Sequence, residues 1–184
     1  MKNKKEFLSQ KEKRILKEIA KKTIEEFIKF KKIPDFNIKN KKLNQPLGAF
    51  VTLKKNSNLR GCIGVILSFG KPLWKIVQDM AITSATQDPR FEPIKEEELK
   101  ELEYEISVIF NFKKIDSIDK IILGKHGVLV VYENYSGVFL PQVAKEENWN
   151  LEEFLDNLML KAGLPEKFWQ KEKLDFYTFE AEIF

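Results

Sequence analysis

Apolar side chains recur at helical spacing over residues 9–32, with Leu16, Ile19, Thr23, Phe27 and Phe30 on one stripe and Lys and Glu opposite. Pro34 closes that helix, and residues 33–46 are polar, proline-bounded and aperiodic, the pattern of a flexible connection. Residues 47–53 and 61–66 read as two strands around the polar turn KKNSN, a hairpin or near-hairpin. Lys71–Gln87 is predicted as a helix, with Pro72 in its first turn and Leu73, Val77, Met80, Ala81 and Ser84 at helical spacing. Glu96, Glu97 and Glu98 open a short helix, where the dipole favours acids. Tyr104, Ile106, Val108, Phe110 and Phe112 then alternate as a half-buried strand. Two strands at 127–133 and 137–142, around a turn at Asn134–Gly137, precede a helix at 151–162 that Gly163 stops. Residues 174–184 alternate again as a terminal strand. Helices and sequentially adjacent strands without βαβ regularity predict an α+β fold, with a largely antiparallel sheet and flanking helices.

Composition adds the class. The 184 residues are 43% apolar and 33% charged, which excludes a disordered chain and a collagen-like fibre. A chain of this length buries roughly 70% of its open surface on folding, so no metal or disulfide is required to hold it. Cys62 is the only cysteine and His126 the only histidine, which removes an intramolecular disulfide, multi-thiolate zinc sites and multi-histidine metal sites. No metal site and no cofactor are expected. No apolar run approaches the ~20 residues of a membrane span, and the N-terminus lacks the apolar region of a secretory signal. A cytoplasmic location, away from membranes, is expected, with residues 1–184 forming one domain and residues 1–13 a mobile basic arm.

Charge is uneven: residues 1–42 hold 15 Lys and Arg against 6 Asp and Glu, net +9, and the remainder is net −5. Glu18 with Lys22 and Glu25 with Lys29 are spaced for i,i+4 pairing on a solvated face. The lysines are not interleaved with aromatics, and no nucleic-acid fold signature is present, which argues against a nucleic-acid partner. Only three of the 32 basic residues are Arg: Arg14, Arg60 and Arg90. Where Lys serves almost everywhere, an Arg suggests a site that uses a planar five-donor fork.

Four segments could carry chemistry. In Leu59–Gly64, LRGCIG, glycines bracket Cys62, permitting a positive-φ turn whose amides, with Arg60, would favour a thiolate; the alternative is a small buried strand residue. In Gly124–Gly127, GKHG, His126 is either a proton carrier for a thiol or a histidine satisfied by backbone at a strand entry. Asp88-Pro89-Arg90-Phe91 fits an Asp-initiated turn in which Arg90 grips an anionic substrate or bonds local carbonyls. Gln142, in LPQVA, lies either at a pocket mouth or at a strand end, satisfying backbone. P-loop, GxGxxG, CxxC, HExxH and GxSxG patterns are absent, which argues against Walker-type ATP hydrolysis, Rossmann redox chemistry and common zinc hydrolysis.

LRGCIG, DPRF, GKHGV and LPQVA, in this order and at these separations, resemble the AMMECR domain family from about Arg14 to Phe184. The resemblance implies a single α+β domain with two subdomains. It implies a shared modification pathway with a Memo-like protein and a radical-SAM protein as partners. Carried over by position, it implies a cleft with Cys62 and His126 as catalytic candidates and Arg60, Gly61, Gly64, Asp88, Arg90 and Gln142 as binding candidates. Three readings follow, in this order: a thiol-dependent transfer or hydrolysis enzyme, a non-catalytic module that binds a peptide or small anionic ligand, and, ranked third, nucleic-acid binding through the basic residues 2–42.

Overall fold

The computed structural model describes residues 6–184; residues 1–5 of the expected basic arm lie outside the described residues. Its first helix, α1 (Gln10–Phe30), begins where Ser9 and Glu12 form a reciprocal capping box and ends at Lys31 in the left-handed conformation. Leu16, Ile19, Ala20, Thr23 and Ile24 form its buried face. Phe30, placed on the apolar stripe by periodicity, is instead 61% exposed. The i,i+4 pairs formed along α1 are Arg14–Glu18 and Lys21–Glu25, a register apart from the Glu–Lys spacing read in the sequence.

Two compact units emerge, as the family resemblance implies: residues up to Ile109 with Glu182–Phe184, and Phe110–Ala181. The first unit holds α1, β1 (Ala49–Lys55), β2 (Asn58–Val65), α2 (Leu73–Thr86) and the first part of β3 (Leu102–Ile115). Both β2 and β3 pair antiparallel with β1, placing β2 at the sheet edge. Leu16, Ile19 and Ile24 of α1 and Leu73, Val77 and Ala81 of α2 share a core with Val51, Leu53, Ile106 and Val108. The turn of the β1–β2 hairpin is Asn56–Ser57, both at positive φ (50° and 63°), the signature of a two-residue primed turn. Ser57→Gly is therefore expected to stabilise the chain by about 0.5 kcal/mol, because a Cβ is disfavoured at that φ. A higher urea midpoint at unchanged slope is the readout.

Residues 33–39 form no helix or strand, in keeping with their polar, proline-bounded pattern. The 33–46 segment is nonetheless tied down: Leu43 is fully buried, Asn40 Oδ1 accepts from the amides of Lys42 and Leu43, and Gln78 Nε2 donates to the Pro34 carbonyl.

The second unit carries the remainder of β3, β4 (Gly127–Tyr132), β5 (Tyr135–Phe139), α3 (Val143–Glu146), α4 (Leu151–Ala162), α5 (Phe168–Lys171) and most of β6 (Asp175–Ile183). Asn150 and Glu153 cap α4 reciprocally, and Gly163, at φ 81°, ends it. Phe154, Leu155, Leu158 and Met159 pack with Val128, Val130, Phe139 and Phe176. The β4–β5 turn falls at Glu133–Asn134, earlier than the sequence suggested, because β5 begins at Tyr135. By hydrogen bonding the strands run β2-β1-β3-β6-β4-β5, with antiparallel ladders at β1–β2, β1–β3, β4–β5 and β4–β6.

Candidate functional site

An edge strand leaves alternate backbone groups unpaired, and the site begins where the DPRF turn covers them. Asp88 follows α2 directly and is 4% exposed. Its Oδ2 accepts from the Cys62 amide at 2.8 Å, while Arg90 Nη2 donates to the Cys62 carbonyl at 3.2 Å. Asp88 also accepts from Arg90 Nε (2.9 Å), Nη2 (2.7 Å) and the Arg90 backbone N–H (3.1 Å). The Arg90 guanidinium, and the Cys62 and Arg90 amides, hold the Asp88 carboxyl far below its usual range despite burial. One carboxylate and one guanidinium thus stand in for the missing strand at Cys62.

The β1–β2 ladder pairs Lys54 with Leu59 but Leu53 with Gly61, so Arg60 is the extra residue of a β-bulge. The bulge sends its guanidinium to Glu98 in a two-point pair, both contacts at 2.9 Å, and Nη1 donates to the Glu92 carbonyl at 2.7 Å. Arg60 first, with the Lys95 amide, holds Glu98 at a pKa of about 2. Both arginines in the motifs therefore bind carboxylates of this chain.

Past the bulge, Cys62 faces Thr52 on β1, and Thr52 faces Glu105 on β3. Cys62 is half-buried, with its Sγ 3.2 Å from Thr52 Oγ1. Lys54 reaches Glu105 at 2.9 Å. Its pKa is raised chiefly by that hydrogen bond and charge, with a smaller contribution from Cys62. Sulfur, hydroxyl, ammonium and carboxylate therefore share one face of three adjacent strands.

The glycines around Cys62 correct one expectation. Neither Gly61 nor Gly64 has positive φ, and the segment is strand rather than a turn, so no nest of consecutive amides forms. Close approach explains them. A Cβ on Gly61 would lie 2.2 Å from the Ser84 carbonyl oxygen, and one on Gly64 would lie 2.2 Å from the Phe50 ring. Ser84 Oγ, in turn, accepts from the Ile63 amide and donates to the Val51 carbonyl, fixing α2 against the hairpin.

His126 and Gln142 belong to the second unit. The His126 amide donates to Ile122 O at 2.9 Å, and its Nδ1 accepts from the Ile122 amide at 3.1 Å, closing the turn into β4. Burial first, then Lys125 and Lys113, push its pKa down, so the neutral imidazole carries its proton on Nε2. Gln142 precedes α3 as its N-cap, where its carbonyl accepts from the amides of Lys145 and Glu146, and its Oε1 is buried without a partner among the described residues.

Sequence reasoning missed Thr52, Lys54, Glu98 and Glu105. Glu98 was legible only as a first-turn acid, and the other three depend on a register that the bulge shifts. Among the described residues, no group of three or more His, Cys, Asp or Glu is placed to hold a metal ion, and no helix is long and apolar enough to cross a membrane.

A family model described as AMMECR1 matches residues 17–184. Protein NEQ441 of Nanoarchaeum equitans is 41% identical over 92% of this chain and 97% of its own length. Protein MK0488 of Methanopyrus kandleri is 38% identical over 97% of this chain and 90% of its own. The crystal structure of the uncharacterized protein PH0010 from Pyrococcus horikoshii is similar at a TM-score of 0.82 and 38% identity, covering 92% of this chain and 88% of that one.

Proposed function

The chain belongs to the AMMECR1 family, and from that premise we propose that it acts through Cys62, as the nucleophile or the acyl or alkyl acceptor of a transfer reaction. One observation carries the reading. The backbone of Cys62 is gripped on both its polar groups by Asp88 and Arg90, while the residue as a whole stays part-exposed, its sulfur beside the Thr52 hydroxyl. Fixing a nucleophile while leaving it reachable lowers the entropic cost of reaching an attacking geometry. In the step itself the thiol proton passes to water, the sulfur lone pair forms a bond to the electrophilic carbon, and the leaving group departs with its electron pair. Thr52 donates to the sulfur as it becomes anionic, and Lys54 lends positive charge from the same face.

Arg60 and Arg90 act in this reading as positioning residues, since each guanidinium already holds an internal carboxylate. Gly61 and Gly64 supply clearance. His126, in the second unit and with its Nδ1 accepting from the Ile122 amide, is given no role in the step. A thiol acceptor is also the part that a modification pathway shared with a Memo-like and a radical-SAM protein would need from this partner.

The single cysteine makes the test direct. Iodoacetamide labelling of Cys62 at pH 7 is expected to slow about three- to tenfold in both Thr52→Val and Lys54→Met, since each removes a hydrogen-bond donor or a positive charge from the face that the attacking sulfur shares. Circular dichroism would check that each variant folds. Rates unchanged in both variants would remove the thiol chemistry and leave the site to a module that binds a peptide or small anion.

A further inference from the structure

The positive charge of the first forty residues is not used by the Cys62 site, and the fold gathers part of it in one place. Lys13, Lys17 and Lys21 recur every four residues on one line of α1, with Arg14 beside them. Across from this line stand Tyr104 on β3 and Phe184, whose backbone exchanges hydrogen bonds with Ile106. Between them lies a groove of about 630 Å³, whose acids are Glu18 and Glu103, a size typical of small-ligand sites. Cations outnumber acids along it four to two.

The cations are unequally engaged. Lys13 is held by Glu6 and Glu182 at 3.2 and 3.3 Å. Arg14 and Lys21 have only 4.0 Å pairs, with Glu18 and Glu25. Lys17 forms no ion pair among the described residues and sits 6.0 Å from the centre of the Phe184 ring. The second observation is independent of charge: Tyr104 lines the groove, and its hydroxyl is buried with no hydrogen-bond partner among the described residues. Burial, and secondarily Glu25, push its pKa up to about 12, so it stays an O–H donor. A buried donor left unmade destabilises the free protein.

We propose that this groove binds a small organic anion, an apolar ring bearing a phosphate or carboxylate. Its ring lies against Phe184, Lys17 and Arg14 take the charge, and the Tyr104 hydroxyl donates to an anionic oxygen. The site is separate from Cys62, and its test does not depend on thiol chemistry.

Calorimetric titration of the full chain with phenyl phosphate, benzoate and inorganic phosphate tests it. Phenyl phosphate or benzoate should bind saturably, and more tightly than inorganic phosphate, since the ring adds apolar contact. Lys17→Met should weaken binding about tenfold. Tyr104→Phe should weaken it several-fold while raising Tm, a combination that a merely structural tyrosine would not give. Benzoate binding without phenyl phosphate binding would identify the anion as a carboxylate, and the reverse as a phosphate; either supports the site. The proposal is overturned by no saturable binding of either ring anion, by binding indifferent to both variants, or by binding confined to a 20-nucleotide single strand with a steep salt dependence.

Discussion

Replacing Asp88 with Ala is expected to lower the stability of the first unit by about 3 kcal/mol, as several charge-assisted hydrogen bonds are lost around one buried carboxylate. Asp88 accepts from the Cys62 amide, the Arg90 amide and two guanidinium nitrogens. Its removal leaves the edge of β2 uncovered at Cys62. Asp88→Asn should cost less, about 2 kcal/mol, because one acceptor survives while an amide is turned toward Arg90. Urea denaturation gives the free energies. Native-state hydrogen exchange gives the location, with the Cys62 amide expected to exchange about a hundredfold faster in Asp88→Ala. An amide that keeps its protection would mean that β2 is held there by something other than the DPRF turn.

The pH dependence follows from the same groups. Asp88 and Glu98 both have pKa values depressed by arginine. Their contribution is therefore complete above the unfolded-state values of about 4 and is lost as pH falls through the folded ones. Wild-type stability should start to fall below about pH 4.5, with the Glu98 share gone near its folded value of about 2. Asp88→Ala should show a shallower fall over that window, since one of the two groups no longer titrates.

Much of the fold was legible because periodicity and caps agree. The α1 stripe from Leu16 to Thr23, the Gly163 stop and the alternation through β3 each state an element locally. The segments Val143–Glu146 and Phe168–Lys171 were not seen, since a helix of four residues has no period to display. At the site, residue types were legible and geometry was not. A two-residue turn at Asn56–Ser57 would pair Thr52 with Gly61 by simple counting. Arg60, bulged out of the ladder, brings Thr52 opposite Cys62 instead, and a one-residue slip exchanges the faces of every side chain beyond it. The rare Arg60 in a lysine-rich chain marked a site that uses a planar fork, but its partner, Glu98, lies 38 residues away.

Glycine 61 separates the two explanations for the glycine-bracketed cysteine. If it served backbone freedom, Ala would be strained through φ alone; in the strand it occupies, φ is ordinary for any residue. The constraint is instead the Ser84 carbonyl oxygen, which would lie 2.2 Å from an added Cβ and is backbone of α2, not a flexible side chain. Gly61→Ala must therefore push α2 from the hairpin, breaking the Ser84 hydroxyl's contacts with Ile63 and Val51. A cost of about 3 kcal/mol is expected, at the upper end of overpacking, or roughly 10 °C in Tm for a chain of this size. Gly64→Ala meets Phe50 Cγ at 2.2 Å, which turning the ring leaves in place, and the Ala49 carbonyl oxygen at 2.6 Å, so its cost should be of the same order. Gly70→Ala meets nothing within 4 Å and is strained only by its φ of 83°, about 1 kcal/mol. Larger measured Tm losses at Gly61 and Gly64 than at Gly70 are the expected result. If Gly70→Ala proved the most damaging, conformational freedom rather than close helix–strand packing would govern this chain's glycines, and the rigid seat argued for Cys62 would lose its support.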